Sequence, residues 1–166
     1  MAGRAVGSEV SEGGLRRFLL GPWLTIRVQL ALGAVFVAAA IPKISDPPSF
    51  AHMIYNYRLL PGVVVNPFAL VLPWIELLAG LCLVLGLYRR TSAELAGLLL
   101  VVFLLAIGTN LARTNPVQCG CFDVHAAGKP KAELLSEMRG VLLRDTGLLL
   151  LAGQLLVALR PGREIE

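Results

Sequence analysis

Four stretches of this chain, about residues 18–41, 63–88, 93–112 and 141–159, are apolar enough and long enough to cross a lipid bilayer, a task that takes ~20 predominantly apolar residues in a helix. The runs fix the solvent before anything else is known. A segment lying in hydrocarbon must satisfy its own backbone N–H and C=O groups, and a helix does so within itself. The spans take up most of a 166-residue chain and leave no room for a separate soluble domain. A mean hydropathy of +0.72 with only 16% charged residues lies outside the soluble globular range. The expected fold is an all-α integral membrane four-helix bundle. Residues 1–17 read as a cytoplasmic N-terminal tail, 18–160 as the transmembrane domain and 161–166 as a short tail. Arg4, Arg16 and Arg17 precede the first run, but no A-x-A-like cleavage site lies in a suitable place, so that run is expected to be retained.

A net charge of +4 does not signal a nucleic-acid partner, because the basic residues are spread over loops and helix ends rather than gathered with aromatics. They bear on orientation instead. Four spans put both termini and the Tyr88–Ser92 turn on one side and the two longer loops on the other. Lys and Arg divide seven to seven between the sides, with Arg27 inside the first run. Residues hard against the membrane in short segments weigh most, and Arg16-Arg17, Arg89-Arg90 and Arg160 favour a cytoplasmic location for their side. The longer loops, with Cys119 and Cys121, then face a compartment where disulfides persist.

In the first run Pro22 suits a helix start and Trp23 an interface, so the helix is expected over Pro22–Ile41. Asp46 can cap a following short helix, Pro47 and Pro48 fit its first turn, and it is expected to reach Leu60 before Pro61-Gly62 ends it. Phe50, Met53, Ile54 and Tyr57 recur at helical spacing along it, the pattern of an interfacial helix in the first outer loop. In the second run Pro67 and Pro73 are expected to bend the helix, and Gly80 and Gly86 to admit a close neighbour. The last helix-compatible segment runs from Pro130 to Leu159, ~45 Å at ~1.5 Å per residue, so its polar start over Lys131–Arg139 should project beyond the bilayer.

Cys119-Gly120-Cys121 is the most chemically pointed feature of the chain. Cysteines one residue apart can reach disulfide geometry, but the ring is small and strained, and a strained disulfide is a better oxidant that exchanges faster. Gly120 gives the backbone freedom such a ring needs. Arg113, His125, Lys129 and Lys131 lie near in sequence and favour a thiolate, while Asp123 opposes it. Dithiol redox chemistry is the leading reading; metal binding, a permanent structural link and unpaired cysteines without a role are the others. No metal is expected, since Cys119, Cys121, His125 and His52 follow no common zinc spacing. Cys82 reads as buried packing.

Glu76 falls ~15 Å into its helix, where a charge costs ~2.5 to 3.5 kcal/mol even on a lenient scale. It should face the bundle interior, either passing protons, bonding a quinone oxygen or linking two helices. Arg144 is a possible partner for it, with Asp145 adjacent in the fourth span. Lys43, Tyr57 and Arg58 are expected at the outer mouth, where a quinone head group or a partner protein could meet them, and where interfacial anchoring explains them equally well. The candidate quinone-binding residues are therefore Glu76, Lys43, Tyr57, Arg144 and Asp145, and the candidate catalytic residues Cys119 and Cys121.

Five short stretches in order, Ile41-Pro42-Lys43-Ile44 with Asp46-Pro47, Tyr57-Arg58-Leu59-Leu60-Pro61, Pro73-Trp74-Ile75-Glu76-Leu77, Cys119-Gly120-Cys121-Phe122 and Arg144-Asp145, carry a family resemblance. The chain resembles the DoxX-like superfamily of four-helix membrane proteins, and most closely its MauE branch, over about Thr25 to Val157. Relatives often have Gly where this chain has Pro42 and Asp123. The resemblance implies a bacterial inner-membrane protein, multi-pass with cytoplasmic termini and a periplasmic cysteine loop. It also implies work in periplasmic disulfide formation or enzyme maturation, beside a thioredoxin-like partner or a disulfide-containing client. In architecture the chain is also similar to the vitamin K epoxide reductase and disulfide-oxidase bundles, which pass electrons to a quinone. The expected function is thus an inner-membrane thiol-disulfide oxidoreductase coupled to quinone. Two rivals stand beside it: a non-catalytic DoxX-type anchor subunit of a quinone-linked oxidoreductase, and a metal-handling transporter.

Overall fold

A computed structural model describes residues 21–113 and 131–159, and every regular element among them is a helix. Four are long: α1 (Pro22–Ser45), α3 (Gly62–Leu85), α4 (Arg89–Ala112) and α5 (Lys131–Ala158). The short α2 (Pro47–Tyr57) sits between the first two. The long helices pack in a ring: α1 lies on α3 and α4 on α5 over their greatest lengths, while α3 with α4 and α1 with α5 close it. α2 rests chiefly on α3, at the end of the bundle where α1 stops. All four long helices are apolar enough to cross a membrane. The protein is a multi-pass membrane protein, and its lipid-facing surface is apolar, with Leu70, Trp74, Leu78, Leu98, Leu105 and Leu150 each more than half exposed.

The seam between α1 and α3 is set by two glycines. A Cβ on Gly33 would stand 2.8 Å from the Gly80 carbonyl oxygen, and one on Gly80 would stand 2.9 Å from the Gly33 carbonyl oxygen. Small residues let membrane helices approach until backbone meets backbone, because packing replaces the hydrophobic drive that is missing in lipid. Gly80 serves as expected. Gly86 does not: at φ 71° it ends α3 in the left-handed region, its neighbour Tyr88 has φ 45°, and α4 begins at once at Arg89. The tight turn is fastened by Gln29, whose amide nitrogen donates to the Leu83 carbonyl and whose amide oxygen accepts from Arg89 Nε at 2.6 Å.

Several boundaries depart from the hydropathy pattern. α1 runs through Pro42 to Ser45, beyond Ile41, because Lys43 turns inward and is buried rather than ending the span. Asp46 caps α2 as anticipated, accepting from the Ser49 N–H at 3.1 Å and the Ser49 hydroxyl at 2.7 Å. That helix stops at Tyr57 instead of Leu60, since Arg58 adopts a left-handed conformation with φ 51°. α4 starts four residues before its apolar run, its polar first turn being held by the turn at Tyr88. The 28 residues of α5 span ~42 Å at ~1.5 Å per residue, more than the ~30 Å of hydrocarbon. Cys82 is half-buried, not packed in the core. Residues 1–20, 114–130 and 160–166, with the candidate catalytic pair Cys119 and Cys121 among them, lie outside the described residues.

Candidate functional site

Among the described residues the interior of the bundle holds four charged side chains in two pairs. Lys43 Nζ lies 2.8 Å from both carboxylate oxygens of Glu76, with both side chains almost wholly buried. Arg144 donates to Asp145 Oδ1 from Nε at 2.9 Å and from a terminal nitrogen at 2.8 Å. Asp145 is buried and Arg144 half-buried. Each pair meets the requirement that a charge in the membrane interior face the bundle and find a partner.

The Lys43–Glu76 contact follows from the direction of two antiparallel helices. Gly33 and Gly80 mark a common level, Lys43 lies ten residues beyond the first and Glu76 four residues before the second. Their Cα atoms are therefore offset by about six residues, ~9 Å along the axis. Helical side chains lean toward their own N-terminus. On α1 that direction is into the bundle, and on α3 it is toward the α2 end, so the two long side chains lean together and close the gap. The sequence placed Lys43 at the mouth and weighed Arg144 as the partner of Glu76. In the fold Asp145 supplies the counter-charge for Arg144, and Lys43 is the cation that reaches Glu76.

Two aromatic rings complete the setting of Lys43: Nζ is 5.2 Å from the centre of the Phe50 ring and 4.9 Å from that of Phe103. Both distances lie within cation–π range. The ammonium thus sits between a carboxylate and two ring faces. Phe103 carried no signal in the sequence, where it is one apolar residue in an apolar run.

Lys43 and Phe103 also form the shared wall of two cavities. The larger, ≈ 390 Å³, lies between α2 and α4 and is lined by Phe50, Met53, Tyr57, Phe68, Leu72 and Ala106 among others. The smaller, ≈ 30 Å³, has all four charged residues, Lys43, Glu76, Arg144 and Asp145, on its walls. It has room for about one or two waters with polar partners on several sides. The five candidate binding residues therefore divide: Tyr57 belongs to the apolar chamber, Glu76, Arg144 and Asp145 to the polar void, and Lys43 to both. Arg58 is exposed and lies outside this group.

At the α2 end, Asn110 is fully buried and donates to the Tyr57 carbonyl at 3.3 Å, tying the end of α2 to α4. Ile107 and Met138 form a small core there with Tyr57, Leu111 and Leu135. Arg113 and Lys131, which bracket the segment containing Cys119 and Cys121, are the described residues that end α4 and begin α5 at this same end. Among the described residues no three His, Cys, Asp or Glu side chains come together as a metal site.

A family model described as methylamine utilisation protein MauE matches residues 21–158. The curated relatives carry the same name, methylamine utilization protein MauE. The one from Methylorubrum extorquens is 38% identical over 131 residues, 78% of this chain and 70% of the relative. That from Paracoccus versutus is 32% identical over 149 residues, 89% of this chain and 78% of the relative. That from Methylophilus methylotrophus is 38% identical over 101 residues, 60% of this chain, so the chain spans about half, 53%, of that relative's length. No solved structure matches the chain. The match runs from the first described residue to the last turn of α5, and it includes both buried ion pairs and the Cys-Gly-Cys segment: the chain belongs to the MauE family.

Proposed function

We propose that this protein is an inner-membrane thiol-disulfide redox protein of methylamine utilisation, in which Cys119 and Cys121 form the exchanging pair and a quinone is the electron acceptor. The observation that carries this reading is the pair itself, two thiols separated by one glycine in a MauE-family membrane chain. Arg113 and Lys131 bracket its segment at the end of the bundle where the buried charges lie closest to the surface helix. A short, strained disulfide ring is oxidising. The thiolate of a periplasmic thioredoxin-like partner, or of a client, attacks one sulfur, a mixed disulfide forms, and the partner's second thiolate resolves it. The partner leaves as a disulfide and the Cys119–Cys121 pair is left as a dithiol. Re-oxidation transfers two electrons and two protons from that dithiol to the quinone, giving a quinol and the restored disulfide. The charged interior supports this by offering groups that can hold protons near the quinone. The termini lie in the cytoplasm, the cysteine segment in the periplasm, and the placement in the wider DoxX-like superfamily belongs to the same reading.

The test is mass-shift thiol labelling of Cys119 and Cys121 in membranes across defined redox buffers, with and without added quinone. A reversible two-electron transition that moves toward disulfide on adding quinone is the expected result. Thiols that never titrate would transfer the role to anchoring of another redox subunit, and Cys119→Ser with Cys121→Ser would then leave function intact.

A further inference from the structure

We infer that the ≈ 390 Å³ chamber between α2 and α4 is a binding site for a neutral, flat, carbonyl-bearing ring on an apolar tail, the chemistry of a membrane quinone, with Lys43 as the hydrogen-bond donor to the carbonyl. The inference deepens the quinone half of the function proposed above. It rests on charge, donor supply and shape.

The charge is balanced before any ligand arrives. Among the described residues Lys43 is the one Lys, Arg, His, Asp or Glu on the chamber wall, and Glu76 holds it through both carboxylate oxygens at 2.8 Å. An anionic head such as a carboxylate or phosphate would compete with Glu76 for that ammonium and leave a net negative charge in an apolar setting, which is costly. A neutral acceptor meets no such opposition. An ammonium has three donors. The two oxygens of Glu76 lie on one side of Nζ and take up at most two of them, which leaves at least one for an oxygen in the chamber.

The shape selects a ring and a tail. Phe50 and Phe103 both line the chamber beside Nζ, at 5.2 and 4.9 Å to their centres, so a planar group brought to Lys43 meets aromatic rings, where stacked or edge contacts are favourable. The volume lies in the range of ligand pockets, ~300 to 1,000 Å³. Val102 and Leu105 line it from α4 and are 43% and 64% exposed, so the chamber opens sideways onto the lipid face rather than only toward water. A long apolar tail can leave by that opening without crossing a polar surface. Behind Lys43, the ≈ 30 Å³ void with Asp145 and Arg144 on its walls places water-sized space next to the donor, so a proton given to a reduced ring can be replaced from the same side.

The experiment uses the full chain in phosphatidylcholine nanodiscs, with decylubiquinone as the probe and an azido-ubiquinone for photolabelling. Binding is expected to saturate, the label to fall on peptides of α2, α4 and the first half of α3, which together line the chamber, and oleate not to compete. Ala106→Trp, which fills the chamber, and Lys43→Met, which removes the donor, should each weaken binding about tenfold or more. A thermal melt of each variant verifies folding; should Lys43→Met fail to fold, Ala106→Trp decides alone. Unchanged affinity in the folded variants, label elsewhere, or equal competition by oleate overturns the inference. The redox titration of Cys119 and Cys121 with dithiothreitol and diamide, run on the same samples, separates the two proposals. Thiols that cycle with no quinone bound sink the chamber alone, and quinone bound over thiols that never cycle sinks the thiol reading alone.

Discussion

Lys43 and Glu76 are each expensive in isolation and acceptable together. Breaking a buried pair by removing one partner costs ~3–5 kcal/mol, while replacing both by apolar groups of similar volume is often close to neutral. Lys43→Met alone should therefore lower stability by roughly that amount, and Lys43→Met with Glu76→Leu should regain most of it. Reversible denaturant unfolding in detergent measures both. The double variant is then a stable protein with an apolar chamber wall and no donor, which isolates the chemical role of the lysine from its structural one. Asp46 works on a smaller scale: Asp46→Ala removes the cap of α2 and should cost ~1 kcal/mol. Much of the residue-level chemistry could be read from the chain, because a lone acid in an apolar run must turn inward. Which cation answers it could not, since the choice between Lys43 and Arg144 depends on helix direction and on Asp145 meeting its own neighbour.

Helix pairing is governed by the seam at Gly33 and Gly80. A methyl on either glycine would meet a carbonyl oxygen of the facing helix at under 3.0 Å, with backbone on the far side that cannot swing away. Gly80→Ala should thus force α1 and α3 apart and cost ~1–3 kcal/mol by overpacking. Gly147→Ala in α5, where nothing lies within 4 Å of the added Cβ, should be neutral or slightly stabilising through the better helix propensity of alanine. Unfolding midpoints of the two variants, side by side, measure the contrast. Element existence was legible from the four apolar runs, and the cap at Asp46 from its prolines. The ends of α1 and α4 were not, because hydropathy treats Pro42-Lys43 and Arg89-Arg90 as boundaries. In the fold, one lysine is neutralised by an acid, and a tight turn at Gly86 to Tyr88 starts the next helix immediately.

For the molecule as a whole, the two ends of the bundle should be chemically accessible from opposite sides of the membrane. Asn56 in α2 and Thr91 in the first turn of α4 are both exposed and lie at opposite ends. In a background free of native cysteines, Asn56→Cys should react with an impermeant maleimide on intact cells and Thr91→Cys only after permeabilisation. The reverse pattern would invert the proposed topology. Cys82 must be replaced in that background, since it is only half-buried. A last consequence belongs to the interior charges taken together. Lys43 with Glu76 and Arg144 with Asp145 sum to zero, and in the proposed cycle the protons leaving the thiols and those joining the quinone are exchanged at the same face of the bundle. Moving one elementary charge through the full membrane potential is worth ~2.3 kcal/mol per 100 mV. With no net charge carried across, the catalytic cycle does no work against that field, and its rate in sealed vesicles should stay the same when the membrane is energised or collapsed.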